Sequence, residues 1–218
     1  MEIKHLIFDF DGTLVDTAAL IVATLQQTAR RLDLPPRDEA ACRSVIGLRL
    51  EEIGTALWPQ TADPLPLNQR FAAGYRQIFE ELKGSYRVSC FPGVEATLHR
   101  LHAAGYGMAI ASSRSHRSLA DYVAAFGLGA CFEMVVGGDD VAHGKPAPDP
   151  VLKILEAQQW APQQTLVVGD MAVDIQMGRR AGCHTCGVTY GNGTGQELRA
   201  AKADRLLAAF PRLEALLA

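Results

Sequence analysis

Short apolar runs punctuate this chain, and between most of them apolar positions recur at helical spacing. Residues 3–10 carry Ile3, Leu6, Ile7, Phe8 and Phe10, too continuously apolar for a strand with one wet face and too short for a helix closed by Gly12. Such a run predicts a strand buried on both faces, as in a parallel sheet. From Tyr106 onward the pattern repeats: 106–112, 133–137, 165–169 and 185–190 read as strands, and 94–104, 116–126, 149–159 and 172–181 as amphipathic helices. With the first strand these make five βα steps, which predicts an α/β doubly wound, Rossmann-like parallel sheet.

The stretch from Asp16 to Arg87 breaks this rhythm. A crossover helix needs about a dozen residues, and roughly seventy are present. Residues 18–32 align Leu20, Ile21, Leu25, Ala29 and Leu32 on one helical stripe, and 67–82 align Leu67, Phe71, Tyr75, Ile78, Phe79 and Leu82. Shorter helical pieces at 38–46 and 49–58 lie between them, parted by Gly47. The expected organisation is a core of residues 1–15 and 88–218 with a helical cap, 16–87, inserted after the first strand.

Composition narrows the function. A chain of 218 residues with 48% hydrophobic and 21% charged residues supports a substantial core. The net charge of −3 and the lack of a Lys/Arg block argue against nucleic acid or an acidic membrane surface as the main partner. No run of about 18 apolar residues occurs, so a cytoplasmic protein is expected, monomeric or homodimeric. Five cysteines, an odd number, suit reduced thiols. Cys183 and Cys186 form a CxxC that runs into a strand rather than opening a helix, so buried thiols are expected there and not redox or metal chemistry.

In an open parallel sheet the ligand sits beyond the carboxyl ends of the strands, so the residues just past each strand matter most. Asp9 and Asp11 come after the first, Ser112 and Ser113 after the second, Asp139, Asp140 and "HGKPAPD" after the third, and "GDMAVD" after the fourth. Two aspartates at strand spacing point the same way, and unpaired carboxylates are too costly to bury; the sheet must end there, with Gly12 allowing the turn. Each polar residue alone is ordinary turn or cap chemistry, and Asp174 in a first helical turn is favoured by the helix dipole in any case. Together, Asp9, Asp11, Ser112, Lys145, Asp170 and Asp174 suggest an oxyanion held by Mg²⁺, which takes hard oxygen ligands. The loop "GNGTGQE" after the last strand does not match a nucleotide fingerprint and reads as a flexible turn at the rim of the site. In "VIGLRLEEI", Gly47 allows a turn that projects Arg49 over the sheet edge, where its guanidinium either meets an anionic group of a substrate or pairs with Glu51, Glu52 or solvent.

The pieces "DFDGTLVD", "IASS", "GKPAPDP" and "VVGDMAVD", in that order across nearly the whole chain, resemble the haloacid dehalogenase-like hydrolase superfamily, in its phosphoglycolate phosphatase-like group. The resemblance implies a Mg²⁺-dependent phosphatase for a small-molecule phosphate monoester that works through an aspartyl phosphate. It implies Asp9 as nucleophile, Asp11 as general acid/base, Ser112 as phosphoryl ligand and Lys145 as the group that orients the nucleophile. Asp9, Asp11, Asp170 and Asp174 are then the metal-binding set, and Ser113 and Arg49 the substrate-binding residues. A sugar phosphomutase on the same scaffold is the alternative. A receiver-type signalling domain, more remote, places its phosphorylated aspartate after the third strand and does not call for the insertion. Dehalogenation does not call for Asp11, and a phosphonate-cleaving relative needs a cap lysine, where only Lys83 is present, at the cap's exit.

Overall fold

The computed structural model describes residues 2–217. Among them are eight strands: β1 (His5–Phe8), β2 (Val15–Asp16), β3 (Ser89–Cys90), β4 (Gly107–Ala111), β5 (Met134–Val136), β6 (Thr165–Gly169), β7 (His184–Val188) and β8 (Arg205–Leu207). Six of these form one sheet in the order β5-β4-β1-β6-β7-β8, every pair parallel. Counted along the sheet strands alone, this is the 3-2-1-4-5-6 order of a doubly wound fold, whose crossover direction reverses between β1 and β6.

Alternation along β1 divides the core in two. Leu6 and Phe8 face a layer with Val94 and Leu98 of α5 (Val94–Ala103), Leu119 of α6 (His116–Ala125) and Leu213 of α10 (Arg212–Leu217). Ile7 faces the other layer, with Val151 and Ile154 of α7 (Asp149–Gln158) and Met177 of α8 (Ala172–Arg180). Both layers being dry, the strand is apolar from Leu6 to Phe8, with half-buried His5 at its start, and it ends just before Asp9.

Four helices occupy the inserted stretch: α1 (Ala18–Arg31), α2 (Glu39–Ser44), α3 (Leu50–Leu57) and α4 (Pro64–Leu82). They bury a cluster of their own, in which Leu25, Ile53, Trp58, Leu67 and Phe71 meet. The antiparallel pair β2 and β3 ties the stretch to the core where the chain leaves and returns.

Besides adding the β2–β3 pair and α10, the structure differs from the sequence reading in three places. β1 is shorter than 3–10, which leaves both Asp9 and Asp11 beyond the sheet, although the Asp9 amide still donates to the Val168 carbonyl at 2.9 Å. A sixth sheet strand, β8, was not anticipated, because three residues carry too little pattern; Asp204 fixes it by accepting from the backbone and hydroxyl of Thr185 at 2.8 and 3.0 Å. The "GNGTGQE" loop gives way to α9 (Gly195–Ala200), capped by Thr194 and Glu197. Both CxxC thiols are buried, and burial pushes each up to about 12, which suppresses the thiolate. No helix among the described residues is long and apolar enough to cross a membrane.

Because the helical insertion owns its apolar cluster, losing a central ring there should loosen it selectively. Phe71 is fully buried, 5.4 Å from the Trp58 ring, and Phe71→Ala is expected to cost about 3–5 kcal/mol. Hydrogen exchange should accelerate at amides of α1, α3 and α4 while those of β1 and β6 keep their protection. Equal acceleration in both sets would mean that insertion and sheet open as one unit.

Candidate active site

The reversal point lies between the carboxyl ends of β1 and β6, and the first residues beyond those strands are Asp9 and Asp170. Neighbouring strands bring these carboxylates together with no side-chain reach required. Asp174 joins them from the first turn of α8, and one oxygen from each of the three lies within 4.8 Å of the others. All three are buried, with Asp170 fully so.

Lys145 arrives from the loop after β5. Its Nζ donates to Asp9 Oδ1 and, at 2.7 Å, to Asp174 Oδ1, with the whole side chain 1% exposed. Asp174 Oδ2 accepts from the Met171 amide at 2.9 Å, so both of its oxygens are held. Asp170 accepts from Thr13 Oγ1 at 3.2 Å and, through Oδ2, from the backbone and side-chain nitrogens of Asn192 at 2.7 and 3.1 Å. Gly12 makes this convergence feasible: its φ of +91° is costly for other residues, and a Cβ there would run into Asp170.

Three carboxylates against one ammonium leave an excess of negative charge in a dry pocket. Burial, helped by Asp174, raises Asp170 to about 7, and burial with the neighbouring Asp174 and Asp170 raises Asp9 well above the usual carboxylate range despite Lys145. Burial works against the charged form of Lys145, but Asp174 and Asp9 more than offset it and hold the ammonium protonated. An oxygen-only donor set with surplus charge fits a hard divalent cation such as Mg²⁺.

Asp11 points elsewhere. Its carboxylate accepts from Arg114 Nη2 at 2.6 Å and Nε at 3.1 Å, and from Thr17 Oγ1 at 2.6 Å, outside the three-carboxylate cluster. Ser112, at the end of β4 and 2% exposed, accepts from the Arg114 amide at 3.2 Å. Ser113 donates to the Gly47 carbonyl at 2.6 Å, and Arg49 Nη1 to the Ala142 carbonyl at 2.7 Å. In this arrangement both residues join the helical insertion to the core, with Gly47 at φ +96° supplying the turn. Glu51 pairs with Arg76 instead of Arg49. Asp139 and Asp140 serve local structure, accepting from the amides of His116 and Gly137.

Two contributors escaped the sequence reading. Arg114 comes directly after the serine pair, but the rings that surround its guanidinium, Phe10, Phe79 and Tyr122, are scattered along the chain. Asn192 sits in a loop beyond β7, a strand end whose polar residues carried the signal needed to find it; its Oδ1 also accepts from Arg43 of α2 at 3.2 Å. Between insertion and core lies a cavity of about 830 Å³, lined by Asp9, Asp11, Ser112 and Arg114 from below and by Tyr75 and Phe79 from above.

Known proteins share the sequence and the fold over most of the chain. The phosphoglycolate phosphatase of Vibrio cholerae is 31% identical over 207 residues, covering 93% of this chain and 92% of that protein. That of Escherichia coli K12 is 31% identical over 222 residues, covering 93% and 88%. Among solved structures, a hydrolase from Pseudomonas syringae superposes with a TM-score of 0.86 at 26% identity, covering 98% of this chain and 97% of that one. The family model of the haloacid dehalogenase-like hydrolases matches residues 6–188, a span that runs from β1 to the end of β7, and the chain belongs to that family.

Proposed function

We propose that the protein is a Mg²⁺-dependent phosphatase that hydrolyses a small-molecule phosphate monoester through an aspartyl-phosphate intermediate, with phosphoglycolate as the reference substrate. The observation that carries this reading is the convergence of Asp9, Asp170 and Asp174 around Lys145 at the reversal point of the sheet. The phosphatase relatives support it.

In the first step a carboxylate oxygen of Asp9 attacks phosphorus, the ester P–O bond breaks, and the departing oxygen takes a proton from Asp11. In the second, water gives a proton to Asp11 and attacks the same phosphorus, releasing inorganic phosphate and restoring the Asp9 carboxylate. Lys145 fixes one oxygen of Asp9 and partly offsets its charge; Ser112 offers a hydroxyl to the phosphoryl oxygens. Asp9 and Asp170, supported by Asp174, would hold Mg²⁺, and the sequence reading adds Asp11. When bound, the ion offsets the charge of carboxylates and phosphoryl group, so that an anionic nucleophile can approach an anionic centre.

Asp9→Asn keeps the side-chain volume and removes the nucleophile, so hydrolysis of p-nitrophenyl phosphate should fall by roughly 10⁴ to 10⁶-fold with an unchanged circular dichroism spectrum. Activity within tenfold of the parent would remove Asp9 from the role. EDTA should stop turnover and Mg²⁺ restore it, with Ca²⁺ a poor substitute because its larger, looser coordination misplaces the nucleophile.

Stability should report the same site. Asp170 keeps its proton up to about 7 in the folded chain and only to about 3.9 when unfolded, so between those values the folded state binds more protons. Its contribution to stability is therefore lost as pH rises through that window. His5, lowered by burial, acts in the opposite sense near neutrality, so the informative quantity is the gain in melting temperature on adding Mg²⁺ to metal-free protein. That gain should be larger at about pH 7.5 than at about pH 5, because ionised carboxylates bind the cation. A gain independent of pH would show that Mg²⁺ does not act on the raised carboxylates.

A further inference from the structure

Arg114 is unusual among the cations that line the cavity. Arg76 and Lys83 are 61% and 49% exposed and paired with Glu51 and Glu80, Arg49 is engaged with Ala142, and Arg117 is exposed. The Arg114 side chain is 9% exposed. Its guanidinium lies 5.9, 5.3 and 5.0 Å from the ring centres of Phe10, Phe79 and Tyr122, the second of these contributed by α4 of the insertion. Nη1 donates to Ser118 at 3.0 Å, which fixes the plane, and the remaining edge presents Nε and Nη2 as a fork to Asp11.

That fork has a consequence for the carboxylate it holds. Both oxygens of Asp11 accept from Arg114, and Oδ1 also accepts from Thr17, so three hydrogen bonds hold the carboxylate in its orientation toward the fork. Releasing Asp11 outright would leave a mostly buried, ring-lined guanidinium without its anionic partner, which is strongly unfavourable. An anion that takes the place of Asp11 on the fork removes that penalty. The fork lines the same cavity as Asp9, Asp11 and Ser112.

We propose that Arg114 is a substrate-specificity and positioning residue: the carboxylate of a substrate tail, one carbon from the ester oxygen, replaces Asp11 on the Arg114 fork and so frees Asp11 for the departing oxygen. This inference rests on the phosphatase reading above and adds to it that the second anionic group promotes turnover as well as binding. Bidentate geometry and ring stacking suit a planar carboxylate and a guanidinium, not an ammonium.

Phosphoglycolate and ethyl phosphate are a matched pair, differing by a carboxylate in place of a methyl group. The parent enzyme with Mg²⁺ should favour phosphoglycolate in kcat/KM, with part of the preference in kcat. Arg114→Met should cut that preference by about 10 to 100-fold, the equivalent of about 1.5–3 kcal/mol for hydrogen bonds to a charged group, and should raise kcat for ethyl phosphate because Asp11 no longer begins the cycle held. Arg114→Lys, which keeps the charge without the fork, should lose most of the preference while melting close to the parent, which separates recognition from folding. Equal losses on both esters in both variants, or an unchanged preference, would overturn the assignment. So would a parent enzyme that hydrolyses p-nitrophenyl phosphate but shows no preference between the two esters. A parent inactive on all three phosphates would instead remove the phosphatase reading, and this inference with it.

Discussion

The charge balance at the reversal point constrains everything around it. Three buried carboxylates share one ammonium, Lys145, which bridges Asp9 and Asp174. Such a grouping survives only where the chain has arranged hydrogen bonds for nearly every remaining oxygen. That requirement accounts for the Met171 amide and Thr13, and for both nitrogens of Asn192. It also accounts for a glycine at position 12, where a side chain would occupy the space that the Asp170 carboxylate needs. The sheet order does the rest, since adjacent strands deliver Asp9 and Asp170 to neighbouring points, one residue apart in register.

A second charge pair governs the opposite side of the cavity. Arg114 and Asp11 neutralise each other beneath α4, so the pocket is divided into a carboxylate-rich half, suited to a cation, and a guanidinium half, suited to an anion. A substrate with a doubly charged phosphoryl end and a negative tail matches this division end to end, whereas a neutral tail leaves the second half in its resting pairing.

Much of this was legible in the sequence because the relevant signals are local. Continuous apolar runs gave the buried strands, an oversized gap gave the helical insertion, and the polar residues after each strand gave Asp9, Ser112, Lys145, Asp170 and Asp174, which the structure brings to one edge. What escaped depends on distance along the chain. The Arg114 slot needs Phe10, Phe79 and Tyr122 at once, and no window of sequence contains them. β8 is three residues long and is held by Asp204 across the sheet, a contact without periodicity. The start of α9 was readable, since Thr194 and Glu197 have the spacing of a reciprocal helix cap; the glycines around them drew attention away from it. Arg49 and Ser113 were read for their charge and hydroxyl, while the structure shows each bonded to a backbone carbonyl.

Those two bonds matter for how such a scaffold can be altered. Ser113 binds the Gly47 carbonyl and Arg49 the Ala142 carbonyl, and both acceptors belong to the backbone, the first on a turn that favours glycine. These two bonds are thus made without the side chains that α1 and α4 turn toward the cavity. A designer could exchange Ile21, Tyr75 or Phe79 to reshape the pocket and leave the two latches intact, so the protein separates the grammar of closure from the vocabulary of recognition.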